Sequence, residues 1–161
     1  MPALPPPPAH HCCIHIDGSS LPNPGPMSLG VVLQMPDGAQ HTLSKNLHRS
    51  GCNNEAELRA LMLALQWLAQ QGIATSSPVQ VFSDNSVLVE QLGDHPTAPI
   101  ARLAPLFDEA RQALQRFPQA QVQWIPRHRN GAADTLARAA LGLAPKAATP
   151  QGQTIKKRRR R

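Results

Sequence analysis

The chain predicts a single α/β domain in which three strands in an antiparallel meander are followed by helix, strand, helices, strand and helix, five strands in all. Three observations carry this. The first fifty residues hold short apolar runs broken by Gly and Pro clusters, the signature of strands joined by turns. From residue 54 the apolar residues recur instead at helical spacing. The 161 residues, 41% of them apolar, suffice for one respectable core.

Residues 12–17 read as a buried strand, ended by GSSLPNPGP, whose Gly and Pro residues make a turn. A second strand is predicted over 29–35. Pro36, Asp37 and Gly38 make a hairpin turn into a third, over 40–47. The strongest helix spans 54–71, with Leu58, Leu61, Met62, Leu65, Leu68 and Ala69 on one apolar face. Asn53 or Asn54 is its expected cap, and Gly72 ends it. A fourth strand is predicted over 79–82, and Ser83 is the expected cap of a helix containing Val87, Leu88 and Leu92. Gly93 and HPTAP close that helix. An amphipathic helix follows over 100–117, through Leu103, Leu106, Phe107, Ala110 and Leu114. Residues 121–125 form a fifth strand, and PRHRN leads to a last helix over 131–141.

Flanking segments differ in composition. Residues 1–11 form a flexible Pro-rich lead with neither the basic start nor the apolar stretch of a targeting peptide. The predicted domain is 12–143, and 144–161 is expected to be a disordered basic tail. Six cations at 156–161 supply the whole net charge of +6. Such a block repels itself and attracts polyanions, with an import signal and an inert solvated end as rival readings. No apolar run is long enough to span a membrane. The expectation is therefore a monomer in the reducing cytoplasm, or in the nucleus if the basic run is an import signal. Cys12, Cys13 and Cys52 suit that compartment, since they form neither a CxxC pair nor an even framework.

Four acids stand in separate frames: Asp17 in HIDGSSLPNPGP, Glu57 in CNNEAELRAL, Asp84 in VFSDNSVLVEQL and Asp134 in RNGAADTLARAA. Each frame follows a strand-like run or opens a helix, so the four carboxylates can meet at one rim of a sheet. A cluster of that kind repels itself unless cations fill it, which points to divalent-metal phosphate chemistry. Asp17 leaves its strand opposite Ile14 and Ile16. Asp84 directly follows a strand, facing the open end of the sheet. Periodicity leaves Glu55 and Glu57 undecided, because the two flank the apolar stripe on opposite sides. Glu55, in the first turn, also suits the helix dipole. No Ser-His-Asp or Cys-His frame is present.

In this order the motifs DGSSLPNPG, NNEAEL, SDNSVLVEQL and NGAADTLA resemble the type 1 ribonuclease H family, over residues 14–143. The resemblance implies a ribonuclease H-like five-stranded mixed sheet flanked by helices. It also implies an endonuclease that cleaves the RNA strand of RNA·DNA hybrids with two Mg2+ or Mn2+ ions, leaving 5′-phosphate and 3′-hydroxyl ends. It selects Glu57 over Glu55, and assigns Asp17, Glu57, Asp84 and Asp134 as catalytic metal ligands, with Asp17 bridging both ions. Gly18, Asn23, Asn53 and Asn54 match positions that meet the nucleic acid, where an Asn amide can donate to and accept from a 2′-hydroxyl. His128, Arg127 and Arg129 are auxiliary candidates.

The chain departs from the family in three places. Cys52 stands where a Thr often helps hold a DNA phosphate, which keeps double-stranded RNA as a second candidate substrate. His128 lies unusually close to Asp134, and residues 93–100 lack the Lys and Arg of a basic protrusion. The alternatives are a catalytically inactive nucleic-acid-binding module on the same fold and a metal nuclease acting on double-stranded RNA or DNA.

Overall fold

The computed structural model describes residues 11–93 and 100–146. The expected Pro-rich lead up to residue 10, the lysine- and arginine-free stretch at 94–99 and the basic run at 156–161 lie outside them.

Five strands, β1 (Cys12–Ser20), β2 (Gly25–Gln34), β3 (Gln40–Gly51), β4 (Val79–Ser83) and β5 (Ala120–Trp124), form one mixed sheet in the order β3-β2-β1-β4-β5. The first three pair antiparallel, while β4 pairs parallel with β1 and β5 parallel with β4. The meander is longer than its apolar runs suggest. Gly18 to Ser20 stay paired with Leu29 to Met27, so the Gly/Pro turn shrinks to Leu21–Pro24. Hydrophobicity cannot see that extension, which backbone pairing makes. The β3 strand continues to Gly51 through an irregularity at which His48 takes φ 51°.

Four α-helices, α1 (Asn53–Gln70), α2 (Ser86–Leu92), α3 (Ala104–Gln115) and α4 (Gly131–Ala140), complete the domain, with 3-10 turns at Ala101–Leu103 and Arg127–Arg129. The helix expected over 100–117 is thus a 3-10 turn leading into a shorter α-helix, with Pro105 in its first turn. The α1 helix covers the face carrying Ile14, Ile16, Leu29, Val31, Leu33, Val79 and Val81, and α3 packs against α1, adding Phe107 and Ala110 to the same core. Within α1 the buried face takes in Ala60 and Ala64, while Ala69, expected on that face, is exposed. Small residues there let the helix lie close to the sheet.

Helix α4 covers the opposite face. A Cβ on Gly30 would collide with the Ala133 carbonyl and lie 2.7 Å from the Ala137 nitrogen. Ser28 Oγ donates to the Ala137 carbonyl at 2.5 Å and Ser44 Oγ to that of Leu136 at 2.7 Å. These contacts fix the height and rotation of α4 on the sheet.

Two expected caps are corrected. Cys52 is the N-cap of α1 and makes no side-chain cap bond, while Asn53 is already helical. The side chain of Asn53 accepts instead from Ser20 N at 2.8 Å, so hairpin closure claims the group that capping would have used. For α2 the cap is Asn85, which accepts from Leu88 N at 3.2 Å, because Ser83 is the last residue of β4 and its hydroxyl points elsewhere. Among the described residues no helix is long and apolar enough to cross a membrane.

Candidate metal centre and active site

Parallel pairing of β1 with β4 sets Ile14 beside Val81 and His15 beside Phe82. Two residues further along stand Asp17, still paired with Gly30 within β1, and Asp84, just past the end of β4, on the side of the sheet where open α/β folds place their sites. Glu57 arrives from the α1 side. At Gly18 a Cβ would collide with Glu57 N and lie 2.6 Å from the Ala56 carbonyl carbon. The missing side chain therefore lets the first turns of α1 rest on β1, which brings Glu57 to Asp17. One carboxylate oxygen from each of Asp17, Glu57 and Asp84 falls within 4.8 Å of the others.

Asp134 enters from the opposite helix layer, in the first turn of α4. It lies outside the tight group of three, yet close enough for its charge and a side-chain hydrogen bond to act on Asp17. Its Oδ1 is 3.8 Å from Lys146 Nζ. Lys146 belongs to the sequence-predicted tail, of which residues 144–146 lie against α4, where Arg138 Nε donates to the Ala144 carbonyl at 2.8 Å.

The electrostatics follow from burial. Asp17 is 6% exposed and Glu57 4%. Loss of solvent, then the charges of Glu57, Asp84 and Asp134, push Asp17 up to about 9. Loss of solvent and the charge of Asp84 push Glu57 up to about 8, against hydrogen bonds from Ser83 and Asn85 that favour its anion. Asp84 is also raised, again chiefly by burial, with opposing help from Asn130 and Arg127. Near neutral pH these acids cannot all ionise without a compensating cation. The donors that converge are carboxylate oxygens, the ligand type of hard divalent ions.

The remaining sequence candidates surround this cluster unequally. A cavity of ≈ 550 Å³ opens over it, lined by Asn23, Asn53 and Asn54 on one side and by Asn85, Arg102 and Arg127 among others. Asn23 Oδ1 accepts from Asn53 N at 3.3 Å, and Asn85 Nδ2 donates to Asn54 Oδ1 at 2.6 Å, so the asparagines form a braced row along the wall. Gly18 is partly exposed beside the acids. Cys52 is buried and its residue lines the same cavity. His128 and Arg129 are exposed in the 3-10 turn that precedes α4, outside the cavity lining. Glu55 turns away, pairing with Arg59 at 3.1 Å.

Sequence reasoning missed Asn130. It is 1% exposed, and although it occupies the N-cap position of α4 its side chain makes no cap bond. Its Nδ2 donates instead to the Ile16 carbonyl at 2.8 Å and to Asp84 Oδ2 at 3.4 Å. One amide thereby ties the strand that bears Asp17, the acid after β4 and the helix that bears Asp134. An Asn just before a helix reads as a cap, so the sequence signal was present but pointed to the commoner use. Arg102 was also missed, as an isolated cation in a helical stretch.

Comparison with known proteins gives a consistent picture. Residues 15–140 match the family model described as reverse transcriptase-like. The bifunctional protein Rv2228c of Mycobacterium tuberculosis is 30% identical over 144 residues, 89% of this chain and 39% of that protein. The chain thus spans well under half the length of the mycobacterial relatives it matches. Ribonuclease HI of Halobacterium salinarum is 31% identical over 127 residues, 79% of this chain and 62% of that protein. Among solved structures, LC11-RNase H1 in complex with RNA/DNA hybrid superposes with a TM-score of 0.74 at 29% identity, covering 81% of this chain and 96% of that one.

Proposed function

Because the chain belongs to the ribonuclease H-like family, we propose that it is a metal-dependent endonuclease that hydrolyses the RNA strand of RNA·DNA hybrids. The observation that carries the proposal is the convergence of Asp17, Glu57 and Asp84 within 4.8 Å, two of them, Glu57 and Asp84, lining an open cavity, in a fold whose solved relative is described with an RNA/DNA hybrid.

In this reading Asp17, Glu57, Asp84 and Asp134 would hold the divalent ions, Mg2+ or Mn2+, that the family uses, two of them by the resemblance. Bound there, the ions supply Lewis acidity, a more acidic attacking water and charge compensation for the leaving 3′-oxygen. The protein's own part is placement. The buried hydroxyl of Ser83 donates to Glu57 and favours its anionic, ligating form against the burial that raises it, and Asn130 ties Asp84 to the Ile16 carbonyl of β1. Asn23, Asn53 and Asn54 line the path of the duplex, where their amides meet sugar hydroxyls in the minor groove. Arg127 and Arg102, on the cavity wall, take backbone phosphates. The products carry 5′-phosphate and 3′-hydroxyl ends.

The test is cleavage of end-labelled RNA·DNA, RNA·RNA and DNA·DNA duplexes with Mg2+, with Mn2+ and with chelator. Metal-dependent cutting confined to the RNA strand of the hybrid is expected. Equal cutting of RNA·RNA would redefine the substrate, and binding without cutting under any metal would leave a binding module.

A further inference from the structure

Trp124 is one of two tryptophans in the chain, and it ends β5 with 53% of its surface exposed. It is nonetheless held in place, since its indole Nε1 donates to the Asp84 carbonyl at 3.2 Å. Val87, 40% exposed, lies in the first turn of α2, three residues after Asp84, and α2 packs on β5. Among the described residues the other large apolar side chain so exposed is Leu21. Two of the three thus belong to the strand and the helix that meet beside Asp84, which Trp124 contacts and α2 follows. An exposed indole fixed beside the acid of a charged cleft offers a large apolar face at the edge of that cleft.

The chemistry of the contact narrows the partner. The indole N–H is already used by the protein, so the ring offers its apolar face and cannot read a base edge by hydrogen bonding. Trp124 and Arg127 both meet the same acid, since the charge of Arg127, which lines the cavity, acts on Asp84, whose carbonyl accepts the indole N–H. Aromatic rings flanked by cations are how sequence-independent proteins hold nucleic acid. Within a duplex the bases cover one another's faces, leaving the sugar rings as the apolar surface at the groove edge.

We propose that Trp124 and Val87 form an apolar shelf that seats a sugar ring of the substrate backbone beside the phosphate held over Asp84. This rests on the nuclease reading above and adds to it a substrate contact on the β5 side of the site, opposite the asparagine row.

The experiment uses Trp67→Phe, which leaves Trp124 as the sole tryptophan, combined with Asp17→Asn so that hybrid is bound without being consumed. A fluorescein-labelled RNA·DNA hybrid is titrated in Mg2+, following its anisotropy and, with unlabelled hybrid, the Trp124 emission. The shelf requires the emission to change with the same midpoint as the anisotropy. In the active protein, Trp124→Ala should raise KM roughly five- to tenfold with kcat within about twofold. Trp124→Phe, which keeps an aromatic face but loses the bond to Asp84, should keep KM near that of the parent. Saturated anisotropy with unchanged emission and an unchanged KM for Trp124→Ala would overturn the shelf and leave the nuclease reading standing. Hybrid that is neither bound nor cut would overturn both.

Discussion

Ser83 Oγ, fully buried at the end of β4, donates a 3.1 Å hydrogen bond to Glu57 Oε2 on α1. That bond crosses from sheet to helix and orients Glu57 toward Asp17 and Asp84, while its neighbour Glu55 pairs with Arg59 instead. Glu57→Gln should cut kcat by about a thousandfold, several kcal/mol of lost ion and charge positioning. Glu55→Gln removes a half-buried partner of Arg59 and should cost at most about 0.5 kcal/mol of stability with unchanged turnover. Steady-state kinetics and thermal melts on the two variants check this. Equal losses of activity would show that the Ser83 bond does not identify the ligand.

Asp17→Asn should abolish cleavage to a similar degree while raising the melting temperature of the metal-free protein. The carboxylate sits desolvated among like charges, and the amide removes the repulsion without changing the volume. Calorimetry in chelator, beside single-turnover cleavage in Mg2+, separates the two effects. A less stable variant would mean that Asp17 is held by favourable contacts rather than against repulsion.

The metal-free protein should lose stability as pH rises. Asp17 is raised from 3.8 to about 9 and Glu57 from 4.5 to about 8, so between those limits the folded state keeps protons that the unfolded chain has released. Their contribution is fully present below about pH 4 and is gone above about pH 9, the opposite of a salt-bridged carboxylate. A fall in melting temperature of roughly 5 °C or more is expected from pH 6 to pH 9 in chelator. Added Mg2+ should offset it increasingly at high pH, since the ion binds the deprotonated acids. A metal-free melting temperature that stays flat or climbs over that range would contradict the assigned burial of the two acids.

Asn130→Ala should lower kcat by roughly tenfold or more and weaken metal affinity, because the amide that joins Ile16, Asp84 and α4 is removed. Asn130→Asp should be worse, placing a fifth anion in the cluster. Isothermal titration with Mg2+ on each variant reads the affinity directly. A variant with native metal binding and reduced stability alone would limit Asn130 to packing.

Removing residues 156–161 should raise KM for the hybrid at low salt and flatten its salt dependence, with kcat preserved. Every phosphate that the shortened protein no longer neutralises lowers the log–log slope by roughly 0.9 on a duplex. The comparison is KM across a salt series for full-length and shortened protein, and superimposable curves would assign the six cations to something other than the substrate.

Local pattern was enough to read the order of elements and the apolar faces of the strands and of α1, because alternation and 3.6-residue periodicity are direct consequences of burial on one side. It also placed Asp84, which directly follows an apolar run and stands just past the end of β4, whereas Asp17 follows such a run yet stays within β1, paired with Gly30. What depends on the rotation of one layer against another was settled only by the assembled fold. Glu55 and Glu57 are equivalent on an isolated helix, and the close approach of β1 at Gly18 breaks the tie. Asn53 and Ser83 look like helix caps from their neighbours in the chain, yet Ser20 and Glu57, 33 and 26 residues away, claim their side chains. Asn130 reads as a cap until the carbonyl of Ile16, 114 residues away, is brought beneath it. Asn53 and Asn130 take distant partners in place of the cap bond, and Ser83 accepts locally from Asn85 N while donating to the distant Glu57; that choice is made by which groups the packed sheet and helices leave buried without a bond.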